Sequence, residues 1–268
     1  PQMGFSVPSI VLEGSIRAGG LHVSGMSVAG IPGIIVGRTP HHAWSMQVGH
    51  AHTTDYYIED PQDVALHRIE TIEVAGGDAV TLPVYRSTHG PIVNPIPYNP
   101  ETYTPSMDDP LVAWKYAHWG YEFKLVRAFL DIANARNVVQ FHRAVRKMAV
   151  SQHICYADRR GTIGYWMAGR NPIRFPGEWR LPQGFLYNFQ LEWNAAFVRP
   201  LPVDLNTSRG WYAGWNNKAS AAYPCGFNTV TYSCGPFHRT NVIYDYFDEA
   251  LSDGGTVGFE DLRNLALD

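Results

Sequence analysis

No apolar stretch of this chain approaches the roughly 20 residues that span a bilayer; Ile31-Pro32-Gly33-Ile34-Ile35-Val36 is far too short. No signal-peptide pattern is visible. Charge is scarce, at 17% of 268 residues, with a net charge of -3 and no long basic run. That argues against nucleic acid or an anionic membrane as a partner. There is no G-x-G-x-x-G after a strand and no P-loop, so a nucleotide site is not expected. There is no G-x-S-x-G elbow either, and no Ser/His/Asp set stands out. Cysteines number only three. Cys225 and Cys234 bracket a short segment and are either a small disulfide loop, if the protein is exported, or two buried thiols. Cys155 sits in an alternating apolar segment and reads as core.

What is abundant is aromatic and apolar: 45% hydrophobic residues, with 8 Trp and 15 Tyr. The 25 Gly and 19 Pro are scattered as turn punctuation, so the composition is that of a β-rich globular protein. Strand-like alternation fills residues 7–93: Ser9 to Ile16, Leu21 to Val28, Ile34 to Gly37, Ala43 to Val48, Thr54 to Glu59, and a hairpin of His67 to Ala75 with Ala79 to Tyr85. Residues 94–110 are a Pro- and Asn-rich loop. Two helices follow, with Phe123, Val126, Leu130 and Ala133 as one stripe and Val138, Phe141, Val145 and Met148 as the other. Asn137 is placed to cap the second. Strands return at His153 to Ala157 and Ile163 to Met167, and 211–217 reads as an aromatic strand. Arg239 to Leu251 is helical, and a last helix begins near Thr256 with Glu260 and Asp261 in its first turn. This order favours an α+β fold of largely antiparallel sheets over a βαβ fold. Residues 1–268 are taken as one catalytic-domain fragment: a strand-rich half to residue 93, the loop 94–110, and the rest from 111.

Three places invite chemistry. Asn216 and Asn217 end the 211–217 strand, so only one of them faces a given site. A carboxamide there either ties down a turn or donates to a developing oxyanion. His50, His52 and Asp55 have metal-ligand residue types, with the two histidines on one face if 50–52 is a strand. The alternative is polar residues beside a loop. Arg239, at a helix start, opposes the dipole unless a carboxylate such as Asp245 answers it.

Several segments together resemble the penicillin acylase (penicillin amidase) family of N-terminal-nucleophile hydrolases. They are Pro1-Gln2-Met3-Gly4-Phe5-Ser6-Val7-Pro8; Ile31 to Gly37 with Ala43-Trp44 and Asp55 to Glu59; Thr88-His89-Gly90-Pro91-Ile92-Val93; Tyr156-Ala157-Asp158 with Gly161 and Ile163-Gly164-Tyr165; and Gly210 to Asn217 with Tyr223-Pro224. The resemblance runs from residue 1 to about residue 265 in matching order. It implies an αββα sandwich of two antiparallel sheets between helix layers, and a precursor that cuts itself to expose a nucleophilic Ser. The α-amine of that Ser serves as base, which suits a group titrating near pH 7.7.

Carried onto this sequence, the resemblance makes Asn216 the side-chain oxyanion donor and Val48 the main-chain N–H donor. Gln2 lies beside the nucleophile, and Arg239 orients Asn216. Trp44 and Trp215 are expected to bind substrate. No cofactor is required; a structural calcium would use Asp55, with His52 standing where another carboxylate is expected. The partners implied are a small N-acyl amide substrate, a companion α chain and the remainder of the β chain, in the periplasm or outside the cell. Pro1 lies a short stretch after the place where the Ser should be, so the chain is expected to be part of a longer or processed protein and inactive alone. Two other readings remain open: a non-catalytic β-rich module binding carbohydrate or peptide through aromatics aligned on one sheet face, and a metal-dependent hydrolase using His50, His52 and Asp55.

Overall fold

The computed structural model describes residues 6–95, 97–104, 106, 108–184, 192–194, 197–223 and 238–267. In chain order the strands are β1 (Val11–Ala18), β2 (Leu21–Val28), β3 (Val36–Arg38), β4 (His42–Val48), β5 (Thr54–Ile58), β6 (Ala65–Ile72), β7 (Val80–Arg86), β8 (Ile92–Asn94) and β9 (Val112–Tyr116). Two helices, α1 (Lys124–Asn134) and α2 (Val138–Val145), separate these from β10 (Gln152–Asp158), β11 (Ile163–Ala168) and β12 (Val203–Leu205). Helices α3 (His238–Ala250) and α4 (Phe259–Leu267) end the described chain. The pairings between these strands are antiparallel, which fits the expected α+β class. The main sheet has seven strands in the order β1-β2-β3-β4-β10-β11-β12; β5-β9-β8 form a second sheet and β6-β7 a hairpin.

Helices α1 and α2 cover one face of the main sheet. Asn137 caps α2 as expected: its backbone is extended and its side-chain oxygen accepts from the Gln140 N–H at 3.0 Å. Phe141, Val145 and Met148 are buried, as the helical spacing implies. The α1 stripe coincides with the sequence reading at Ala133 but not at Phe123 or Leu130. Ala128, Phe129, Ile132 and Ala133 face the core, whereas Phe123 is 88% exposed just outside the helix and Leu130 is exposed. Both sets have helical spacing; the sheet selects the one whose small and aromatic members fill the gap between α2 and β2. Below them, Val23, Trp44, Ile154, Tyr156 and Trp166 supply the sheet side of the same core.

Two further expectations change. Strand β9 has no counterpart in the sequence reading, yet it is the centre of its sheet, with Ala113 fully buried between Tyr57 and Ile92. Residues 211–217 are not a strand. Asn216 has φ +60°, in the left-handed region that Asn tolerates better than most residues, and the segment is held by side chains and not by a ladder.

Candidate active site

Alternation along β4 sends its side chains to two destinations. His42, Trp44 and Met46 face the helices, where the His42 ring packs on Trp44, Phe141 and Tyr156. Gln47 faces the other way. Its cross-strand neighbour on β10 is His153, whose neighbour on β11 is Met167, so these three share the second face of the sheet. Residues 210–223 pack over this face: the Tyr212 ring stacks on Tyr165, and Tyr223 clusters with Met167.

At the end of β4 the ladder sets the direction of the main chain. The Gly49 N–H donates to the Ser151 carbonyl at 3.1 Å, one residue beyond the Val48–Gln152 pair. Antiparallel parity then turns both the N–H and the C=O of Val48 away from β10, toward the open edge. The Asn216 Nδ2 meets Val48 there, donating to its carbonyl at 2.9 Å. The chain leaves through Gly49, where a Cβ would come within 2.4 Å of Met167 Cε and 2.6 Å of Ser151 Oγ, and through His50 at φ +50°.

Four more contacts fix Asn216. Its N–H donates to Gln47 Oε1 at 2.9 Å, and Gln47 Nε2 donates to the Gly214 carbonyl at 2.6 Å. Arg239, in the first turn of α3, donates through Nη2 to the Trp215 carbonyl at 3.0 Å and lies 3.5 Å from Asn216 Oδ1. Its guanidinium also sits 5.2 Å over the Trp215 ring. Carbonyl oxygens of the Trp215 main chain and the Asn216 side chain thus stand beside the charge that opposes the helix dipole. Asn217 ties the turn: its Oδ1 accepts from the Trp215 N–H at 2.8 Å and from the hydroxyl of fully buried Thr240 at 3.0 Å. Of the two carboxamides, one holds the loop and the other reaches the strand edge.

The electrostatics around this point are one-sided. Burial, and then the Arg239 charge, hold His50 below its ordinary pKa. Burial and neighbouring His50 push His153 down to about 4, against the opposing pull of the Asn217 main chain. Both rings are therefore mainly neutral at pH 7.

The other sequence-derived candidates fall elsewhere. Gln2, Cys225 and Cys234 lie outside the described residues. Trp215 is half-buried under Arg239. Trp44 is a core residue, 4% exposed, with its indole N–H on the Ile35 carbonyl at 2.7 Å; alternation puts it on the face opposite Gln47, away from any substrate there. The described tryptophans are buried or half-buried, and the well-exposed aromatics Phe123, Phe175, Phe197 and Phe259 belong to different elements. The aligned aromatic face that a binding module requires does not form among the described residues.

The metal expectations also fail on geometry. Residues 49–53 are not a strand apart from a single bridge at Ala51, so His50 and His52 do not share a face. His50 sits near Arg239, whereas His52 Nε2 meets Asp55 Oδ1 at 2.9 Å. The second Asp55 oxygen takes the Arg174 guanidinium, at 2.8 Å from Nε and 2.7 Å from Nη2, and the Trp193 indole N–H at 2.7 Å. Burial pushes the Asp55 carboxyl up, but the His52 hydrogen bond and the Arg174 charge outweigh it and hold its pKa below the usual value. A carboxylate already neutralised by a buried guanidinium, beside an imidazole, does not fit calcium, which needs several oxygen donors. Among the described residues no group of three His, Cys, Asp or Glu is placed to hold a metal.

The comparisons with known proteins bear on this site. The family model described as penicillin amidase matches residues 1–268. The chain belongs to the penicillin amidase family. Within it, the chain is 27% identical to penicillin G acylase of Escherichia coli over 239 residues, which is 84% of this chain and 27% of that protein. It is 28% identical over 227 residues to the acyl-homoserine lactone acylase QuiP of Pseudomonas fluorescens, covering 76% of this chain and 26% of that protein. The chain thus spans about a quarter of the length of the curated relatives it matches. The solved thermostable penicillin G acylase from Alcaligenes faecalis has the same fold over 96% of this chain and 46% of its own, with a TM-score of 0.80 at 24% identity. Among the described residues no helix is long and apolar enough to cross a membrane.

Sequence reasoning missed Gln47, Thr240 and Arg174. Only Gln47 left a signal: a polar residue at an inner position of an apolar strand, directly before Val48. Arg174 and Thr240 meet their partners through tertiary contacts that no local pattern carries.

Proposed function

We propose that the protein containing this chain hydrolyses linear N-acyl amides through an acyl-enzyme, with Asn216 and Val48 as the oxyanion donors. The observation that carries this reading is the meeting of the Asn216 carboxamide and the Val48 main chain at one strand edge, 2.9 Å apart, beside the Arg239 guanidinium. A carboxamide nitrogen has two N–H groups. One is used on the Val48 carbonyl; the other, together with the Val48 N–H, provides two donors at the same edge for the oxygen of an amide undergoing attack. Arg239 holds the Trp215 carbonyl and steadies Asn216 by its oxygen, which leaves the nitrogen to donate. An N-terminal Ser, outside this chain and close to Gln2, is the nucleophile, and its α-amine is the base. The seven-stranded sheet with α1 and α2 is then half of an αββα sandwich, completed by a companion chain and the remainder of the β chain, in a periplasmic or secreted enzyme. Residues 1–268 act as one catalytic-domain segment. The names of the relatives favour acyl side chains of β-lactams or acyl-homoserine lactones as substrates.

The test uses the full-length protein with a chromogenic N-acyl anilide and an N-acyl-homoserine lactone. Asn216→Ala is expected to lower kcat by about 10²–10³ with little change in KM. Unchanged kcat on a substrate the wild type cleaves would remove Asn216 from the chemistry. Sequencing the mature N-termini checks the nucleophile: Ser, Thr or Cys is expected at the start of the catalytic chain.

A further inference from the structure

We infer that Gln47 is the positioning residue that locks the two halves of the oxyanion site to each other. This rests on the reading of Asn216 and Val48 above. Gln47 is joined to Val48 by a peptide bond, so anything it grips is registered to the Val48 N–H. It grips the Asn216 loop at two points, accepting from the Asn216 N–H at 2.9 Å and donating to the Gly214 carbonyl at 2.6 Å. Those two main-chain groups flank Trp215. The loop between strand and Asn216 therefore cannot slide along β4 or rotate about it without breaking one of the two bonds. The loop backbone is close to the Gln47 amide: a Cβ on Gly214 would stand 3.5 Å from Oε1 and 3.6 Å from Nε2, and 3.1 Å from Asn217 Oδ1. Asn216 needs such a brace. It is held at φ +60°, where the chain does not rest by default, and it has no strand ladder to hold it.

The chemistry demands an amide at this position. An ionised carboxylate cannot donate to a carbonyl, whereas a carboxamide donates through its nitrogen and accepts through its oxygen. A protonated carboxylic acid also does both, and this gives a discriminating variant. In Gln47→Glu the ionised side chain accepts from Asn216 but sets an oxygen against the Gly214 carbonyl. Once protonated, its O–H donates to that carbonyl and the wild-type pattern returns.

The experiment measures kcat and KM in the full-length protein for Gln47→Leu, Gln47→Glu, Asn216→Ala and the Gln47→Leu/Asn216→Ala double variant. Gln47→Leu is expected to lower kcat by about 10-fold to 100-fold with KM changed less than about threefold, the pattern of a lost transition-state interaction. The double variant is expected to be no slower than Asn216→Ala alone, because Gln47 acts through Asn216. The ratio of Gln47→Glu to wild-type kcat is expected to rise as pH falls from 8 toward the ordinary glutamate pKa of about 4.3. That ratio compares folded variant with folded wild type at each pH, so a loss of stability that does not change with pH does not mimic it. A Gln47→Leu penalty that persists undiminished in the Asn216→Ala background, or a flat Gln47→Glu ratio, overturns the inference. Intact kcat in Asn216→Ala overturns the oxyanion reading beneath it. A damaged Asn216→Ala beside an intact Gln47→Leu overturns the role of Gln47 alone.

Discussion

The two faces of the seven-stranded sheet are held by different physics. On the helix face, Trp44, Ile154, Tyr156 and Trp166 meet Phe129, Ile132 and Phe141 in a dry core. That contact is non-directional, and its strength scales with area removed from water. On the other face, Gln47, His153 and Tyr165 meet a loop whose main chain is pinned by single hydrogen bonds from residues more than 160 positions away in sequence. Each such bond contributes only about 1 kcal/mol to stability, but each fixes a direction. Strand β4 serves both faces by simple alternation. The comparison teaches that non-directional burial holds one face and directional hydrogen bonds set the geometry of the other, where the proposed oxyanion donors lie.

The sharpest way to break that comparison is to damage the helix face alone. Phe141 is fully buried and contacts His42, Tyr156 and Trp166. Phe141→Ala in the full-length protein is expected to cost about 3–5 kcal/mol of stability, read as a lowered Tm. The kcat of the folded enzyme, counted by active-site titration, should stay within about twofold of wild type. A loss of kcat like that of Asn216→Ala would show that the faces are not separable.

The difference between the faces also explains what was legible in the sequence. Helix-face residues follow period 2 on strands and period 3.6 on helices, so β1, β2, β4, β10, β11 and α2 are visible from pattern alone, and Asn137 announces its helix start. The α1 stripe is legible only in part: Ala133 is in the core, but Phe123 and Leu130 have the right spacing and lie outside the contact. On the loop face nothing is periodic. The 211–217 segment is rich in β-formers, yet side-chain bonds from Gln47, Asn217 and Arg239 override that preference. Asn216, Val48 and Arg239 are singled out by the resemblance, which carries tertiary information that spacing lacks, and the fold brings the three together. Trp44 shows the limit of that route: it is expected to bind substrate, and the fold buries it in the helix-side core. His50, His52 and Asp55 do not come together as a metal set: His50 lies near Arg239, and Asp55 is held by His52, Trp193 and Arg174, the last 119 residues away in sequence.

Acid should strain both faces, and the contrast can be sharpened there. Burial pushes His42 down to about 4 from 6.5 on the helix face, and burial together with His50 pushes His153 down to about 4 on the loop face. His118 is lowered to about 4 as well, by burial and then Arg170. A histidine whose folded pKa is depressed takes up its proton in the unfolded state first. Stability is therefore expected to be full above pH 6.5 and to fall as pH drops toward 4, by at most about 1.4 kcal/mol per pH unit for each histidine. His42→Phe should make the acid limb of a Tm-against-pH curve shallower. An acid limb with the wild-type slope in His42→Phe would mean that His42 binds its proton equally in the folded and unfolded states.

The smallest effect concerns the helix cap, and it tests whether the faces communicate at all. Asn137 supplies one acceptor to the Gln140 N–H at the start of α2, far in the chain from Asn216. Asn137→Ala is expected to lower stability by about 1 kcal/mol, and Asn137→Asp or Asn137→Ser by much less, because both keep a side-chain acceptor. Among the described residues the cap reaches the loop face through the core: α2 packs Phe141 onto Tyr156, and Tyr156 pairs across the strands with Trp44 two residues before Met46 and three before Gln47. A dense core resists such a small displacement, so kcat and KM should match wild type while Tm falls. A change in kcat with Asn137→Ala that Asn137→Ser restores would show that the position of β4, and with it the Val48 N–H, is set from the helix side.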